Sequence, residues 1–149
     1  MYAENQRIIP TLAVSAVIGM LLWGFVPGAV DLLLSIDFGA TAPGVADLPL
    51  RLMAFLWIVG AFIGVACQAL AILGGYLRSR ALILFAPMLV GIAIGVTQAY
   101  LIGTPLLGFE ELGFSFRPPP LRMLLGGICG LVAVPPLMVA SARVRQWMP

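Results

Sequence analysis

The sequence predicts an all-α integral membrane protein, a four-helix bundle whose two halves read as tandem copies of one helical hairpin. Three observations lead there. The chain is 62% hydrophobic and only 9% charged, with a mean hydropathy of +1.10. A soluble domain carries roughly 25% charged residues, and a chain of 149 residues with so few could not cover a water-facing surface. The apolar residues fall into four runs, each meeting the requirement of about 20 residues for a membrane helix. Short sequence matches then relate the first pair of runs to the second.

The expected spans lie at about 8–30, 50–73, 81–102 and 121–142, within one domain covering 1–149. The first run extends toward Ile36 if the helix continues past Pro27. Helices are expected because an open strand in lipid leaves backbone groups unsatisfied, and the alternation that marks barrel strands is absent. Ala40-Thr41-Ala42 resembles a signal-peptidase site, but the preceding run is longer than the roughly 7–15 residues of a signal core. The first run is therefore read as a span. Pro27, Pro87 and the pair Pro135-Pro136 each remove a backbone donor inside a run. Of these, Pro135-Pro136 is expected to break the fourth helix visibly.

Arginine placement sets the orientation. The turn from Gly74 to Arg80 carries Arg78 and Arg80 with no acid, and the tail carries Arg143 and Arg145 with no acid. The longer loops hold Asp31, Asp37, Asp47, Glu110 and Glu111. Both termini and the short turn are thus expected on the cytoplasmic face. All eight cations are arginine, and glycine and alanine are abundant. This composition suggests a bacterial inner membrane. Trp23, Trp57, Tyr76, Tyr100 and Trp147 fall near span ends, where interfacial aromatics belong.

The duplication rests on three alignments. Pro49-Leu50-Arg51 matches Pro120-Leu121-Arg122 at an offset of 71, and Val17-Ile18-Gly19-Met20 matches Leu89-Val90-Gly91-Ile92 at 72. Asp37-Phe38-Gly39 lies roughly opposite Glu111-Leu112-Gly113. The repeat halves would be 1–76 and 77–149, related by an axis along the membrane normal. Arg51 and Arg122 sit in the first turn of a helix, where a cation opposes the macrodipole. Either Asp31 or Asp37 for Arg51, and Glu110 or Glu111 for Arg122, would compensate as outer-surface ion pairs; snorkelling to lipid phosphate is the alternative.

Each span carries one Gly-xxx-Gly pair: Gly24/Gly28, Gly60/Gly64, Gly91/Gly95 and Gly126/Gly130. Such pairs let backbones approach closely, the main source of helix association in lipid. Their depths suggest that the first span meets the fourth and the second meets the third, with some ridges free to face another subunit. The intramembrane polar residues are few: Asp31, Gln68, Thr97 and Gln98. Polar groups at membrane depth are functional candidates by default. They are expected as a polar path or as interhelical hydrogen bonds, with Gln68 bonding from the Gly60/Gly64 face. Asp31 is either a proton or cation site or an interfacial carboxylate near Arg51.

Several chemistries are excluded. Without His or Lys there is no nucleophile–base pair and no haem ligand of the usual kind. Cys67 and Cys129 differ in depth by roughly 13 Å, too far for a disulfide, and read as buried apolar residues. No phosphate loop, metal cluster or redox CxxC is present. The net charge of +2 is too small and dispersed for nucleic acid. No enzyme activity, cofactor, metal or nucleic-acid partner is expected. The residue patterns of small multidrug exporters, quinone-linked disulfide oxidases and membrane glutathione enzymes are missing, so the sequence resembles no family. The leading expectation is a non-enzymatic multi-pass subunit packed by glycine ridges within a larger transporter or energy-transducing membrane complex, or against copies of itself. The alternative is a self-sufficient, homo-oligomeric small transporter or channel.

The topology has a direct check. Single cysteines replacing Arg78 and Gln146 should label with an impermeant thiol reagent from one face of sealed vesicles, and one replacing Glu110 from the other. Labelling of the first two from opposite faces would overturn it.

Overall fold

In the computed structural model, which describes residues 2–37, 50–109 and 113–147, the chain forms four long helical segments. They are α1 (Tyr2–Phe25) with α2 (Pro27–Ser35), α3 (Leu50–Tyr76), α4 (Arg80–Ile102) and α5 (Pro119–Trp147), with one 3-10 turn at Pro105–Leu107. The stretches long and apolar enough to span a membrane are Ile8–Ser35, Leu50–Tyr76, Arg80–Ile102 and Pro119–Arg143. The protein is thus an all-α four-helix membrane bundle. One end carries the α3–α4 turn, the start of α1 and the end of α5. The opposite, loop end carries the two longer connections.

Local chemistry explains the boundaries. Val26 leaves helical geometry (φ −127°, ψ −77°) and Pro27 opens α2 at its first position, where a missing N–H is harmless. The first span therefore bends there but continues, which carries Asp31 into the bundle. At the short turn Arg78 adopts a left-handed φ of 49°, the Ser79 N–H donates to the Gly74 carbonyl at 3.0 Å, and Ser79 Oγ accepts from the Leu82 N–H at 3.4 Å to cap α4. Gly74 and Gly75 remain inside α3, so the turn proper is shorter than expected.

Pro135-Pro136 does not break α5, which runs unbroken to Trp147. Both prolines are exposed on the bundle exterior, while their neighbours Val134 and Leu137 are fully buried. Packing on the inner face holds the helix through the lost hydrogen bonds.

The glycines make two seams, and they join consecutive spans. In the first hairpin α1 lies against α3 so closely that a Cβ on Gly19 would overlap the Gly60 carbonyl oxygen, and a Cβ on Gly64 would overlap that of Ser15. In the second, α4 lies against α5: Gly95 meets Gly126, and Gly91 meets Gly130. This corrects the expected pairing of first with fourth and second with third, because sequence depth alone missed Gly19. Gly24 and Gly28 lie outside the backbone seam, packing instead against the rings of Trp57 and Trp23. All eight paired glycines are buried, so none is left for a second subunit.

The seams match each other contact for contact. Ser15, Gly19, Gly60 and Gly64 stand in the first as Gly91, Gly95, Gly126 and Gly130 stand in the second. These are offsets of 76 (95 − 19) and 66 (126 − 60). They differ from the 72 and 71 of the sequence matches, so Gly19 and Gly91 occupy different places in their seams.

Backbone contact at the seams makes a concrete prediction. Gly64→Val should destabilise the bundle by about 3 kcal/mol or more through overpacking. Gly75→Ala, with nothing within 4 Å of its added Cβ, should be neutral. Unfolding of both variants in mixed micelles checks this.

Candidate functional site

The interface between the two hairpins is where the polar residues gather. The Trp23 indole N–H of α1 donates to Gln98 Oε1 of α4 at 2.7 Å. Gln98 Nε2 donates in turn to Asp31 Oδ2 of α2, also at 2.7 Å. Asp31 is 0% exposed and Gln98 1%. Asp31 Oδ1 has no hydrogen-bond partner among the described residues. The two bonds tie the first hairpin to the second through one amide. Both Asp31 and Gln98 lie one turn, about 6 Å, below the loop end of their helices.

Apolar layers enclose this group on both sides. Toward the loop end, Leu32, Ile36, Leu52, Leu56, Ile102 and Phe109 form one cluster, closed by the edge-on contact of Phe55 with Phe109 at 5.8 Å. Toward the turn end, Ile63, Cys67, Ala133, Val134 and Leu137 pack with the Trp23 ring as a second. In the turn-end half of the bundle Ser15, Gln68 and Ser141 are also buried, with side-chain polar atoms unpartnered among the described residues.

Above the loop-end layer the hairpins are latched by backbone. Asp37 N–H donates to the Ser115 carbonyl at 2.8 Å and Arg117 N–H to the Ser35 carbonyl at 2.9 Å, an isolated bridge centred on Ile36 and Phe116. Beside it Asp37, Arg117 and Arg122 line a cavity of about 670 Å³.

The expected site residues separate accordingly. Asp31 and Gln98 come together, and the expectation of Asp31 beside Arg51 is corrected: Asp31 is sealed in the core, whereas Arg51 is exposed. Thr97 faces outward and bonds only its own helix, at the Ala93 carbonyl (2.8 Å). With Phe55, Phe62 and Leu101 it lines an apolar groove of about 310 Å³ between α3 and α4, at whose floor Gln98 lies. The hydrogen bond expected of Gln68 is not formed: neither amide atom has a partner among the described residues.

Arg122 does not snorkel. It is 4% exposed, its guanidinium fills the space left by Gly103, and it stands 5.7 Å from the Phe116 ring centroid. Asp37 is exposed, and Asp47, Glu110 and Glu111 lie outside the described residues. Cys67 and Cys129 are buried free thiols.

Sequence reasoning missed Trp23. It is 0% exposed and hydrogen-bonded, not an interfacial anchor. Its only signal was a position eight residues before Asp31, on the same face after two turns. Ser15 and Ser141 were also missed, as single hydroxyls inside apolar runs. Trp57, placed beside Phe25 with centroids 6.0 Å apart, keeps a buried indole nitrogen with no partner among the described residues.

No protein-family model, curated protein or solved structure matches this chain. The site must therefore be read from its own chemistry.

Gln98→Leu removes both bonds and leaves a buried carboxyl and a buried indole N–H unpaired. It should lower stability by about 2–4 kcal/mol. Thr97→Ala, outside the network, should stay within about 0.5 kcal/mol. Denaturant titration in micelles, followed by tryptophan fluorescence, checks both.

Proposed function

We propose that this chain is a self-contained, non-enzymatic membrane carrier that binds a proton or a small monovalent cation at Asp31. The observation that carries the reading is a carboxyl group with no solvent exposure, one oxygen held by Gln98 and the other unpartnered among the described residues. A lone acid at membrane depth is expensive, and it persists where it serves a charge. Its enclosure between two apolar layers suits an occluded site better than an open pore.

The architecture favours movement at the right place. Each hairpin is stiffened internally by backbone contact at its glycine seam. Between the hairpins, Trp23, Gln98 and Asp31 supply buried side-chain hydrogen bonds. Rocking one hairpin against the other would open the carboxyl to one face and then the other, with the seams undisturbed. The Gln98 amide has a defined part: its N–H₂ group orients the carboxyl, and its carbonyl, anchored by the Trp23 indole, fixes which way the amide points.

A subunit reading has less to rest on. The glycine ridges expected to receive a partner are consumed inside the bundle.

Reconstitution tests the proposal. Liposomes containing the protein and a trapped pH dye should equilibrate an imposed proton gradient faster than empty ones, or do so when a monovalent cation gradient opposes it. Asp31→Asn should reduce the rate to that of empty liposomes. Equal rates for the parent protein and Asp31→Asn, or no rate above that of empty liposomes under any monovalent cation, would overturn it.

A further inference from the structure

The cavity of about 670 Å³ beside the hairpin latch has no part in the site at Asp31. Its size suits a small organic molecule. Asp37 of the first hairpin lines it, together with Gly103, Phe114, Phe116, Arg117 and Arg122 of the second. The rings of Phe114 and Phe116, with centroids 6.3 Å apart, give it an apolar wall backed by the loop-end cluster.

The charge in this cavity is unusual for its place. Arg122 is 4% exposed, and its guanidinium lies against Gly103, whose missing side chain gives it room. It stands in the first turn of α5, where the macrodipole disfavours a cation and no acid of that turn compensates. Arg117 Nε is buried and has no hydrogen-bond partner among the described residues. Against these two guanidiniums the described lining sets one carboxylate, Asp37, a balance of +1 (2 − 1). A guanidinium withdrawn from water is best met by an anionic acceptor.

The donors decide which anion fits. The start of α5 supplies no spare backbone N–H: Pro119 and Pro120 have none, and those of Leu121 and Arg122 donate to the Pro118 carbonyl at 3.1 and 3.2 Å. Recognition therefore falls to side chains, and the guanidinium fork matches a carboxylate bidentately. Asp37 in the same lining repels a second negative charge, which disfavours a phosphate monoester carrying about −1.5 to −2. The two phenylalanine rings favour an apolar body behind the head group.

We propose that this cavity binds a small organic carboxylate, its head group on Arg117 and Arg122 and its apolar body against Phe114 and Phe116. The site goes beyond the carrier reading and does not depend on it.

The full chain in an uncharged detergent tests this, with benzoate as the probe and its neutral amide, benzamide, as the control at equal ionic strength. Benzoate should raise Tm saturably, by about 4 °C at about ten times its Kd, and its ring protons should show saturation transfer from the protein. Benzamide should do neither. Arg117→Gln should weaken benzoate binding by about tenfold or more. Arg117→Lys, which keeps the charge but loses the fork, should weaken it by a smaller factor, and so separates loss of the site from loss of the fold. No saturable response to benzoate, the same response to benzamide, or full benzoate affinity in Arg117→Gln overturns the site. So does a response that emerges only in Glu110→Gln or Glu111→Gln, because an acid of the chain would then be the native partner. An equal response to inorganic phosphate at matched ionic strength overturns the choice of a carboxylate.

Discussion

Backbone-to-backbone contact within each hairpin is the constraint from which the other features follow. Gly19, Gly60 and Gly64 in one seam, and Gly91, Gly95, Gly126 and Gly130 in the other, bring helix axes too close for any side chain to intervene. In lipid no hydrophobic drive favours helix association, so close packing and polar contact must supply it. With glycine occupying the intrahelical-hairpin faces, side chains that need burial are displaced to the surface between the hairpins. Trp23, Asp31 and Gln98 are all found there.

That displacement gives the bundle two different kinds of interface. The seams are small-residue contacts, stiff because any larger residue would clash. The interface between hairpins is built of larger side chains, Ile63, Val134 and Leu137 among them, bridged by two hydrogen bonds at Gln98 and latched at the loop end by the Ile36–Phe116 pairing. Such an interface can repack between discrete arrangements while its halves stay rigid. Trp23, Gln98 and Asp31 lie on it between two apolar layers.

Arg122 illustrates how the same solvent governs the loop end. A cation in the first turn of a helix is disfavoured by the macrodipole, and its alternatives were lipid phosphate or an acidic neighbour. The guanidinium of Arg122 is buried where the missing side chain of Gly103 admits it, with the Phe116 ring nearby, so it does not reach out to lipid phosphate. That burial could not be read from the residues alone, because the space for the guanidinium is the missing side chain of Gly103 at the end of another helix.

Composition and spacing by themselves determined the solvent, the four spans, their boundaries to within a few residues at most ends, and the short list of polar candidates. These are one-dimensional properties: hydropathy sums along the chain, and a membrane helix satisfies its backbone within itself. Which helices touch, where Pro135-Pro136 point, and which polar groups meet were decided only in three dimensions. Gly24 and Gly19 are equally good small residues in sequence, and the crossing point of α1 with α3 chooses between them. Gln68 and Gln98 are the same amide in similar apolar runs. One is met by an indole and a carboxyl and the other by neither, because partners 67 and 75 residues away for Gln98 are brought in by packing that no local pattern encodes.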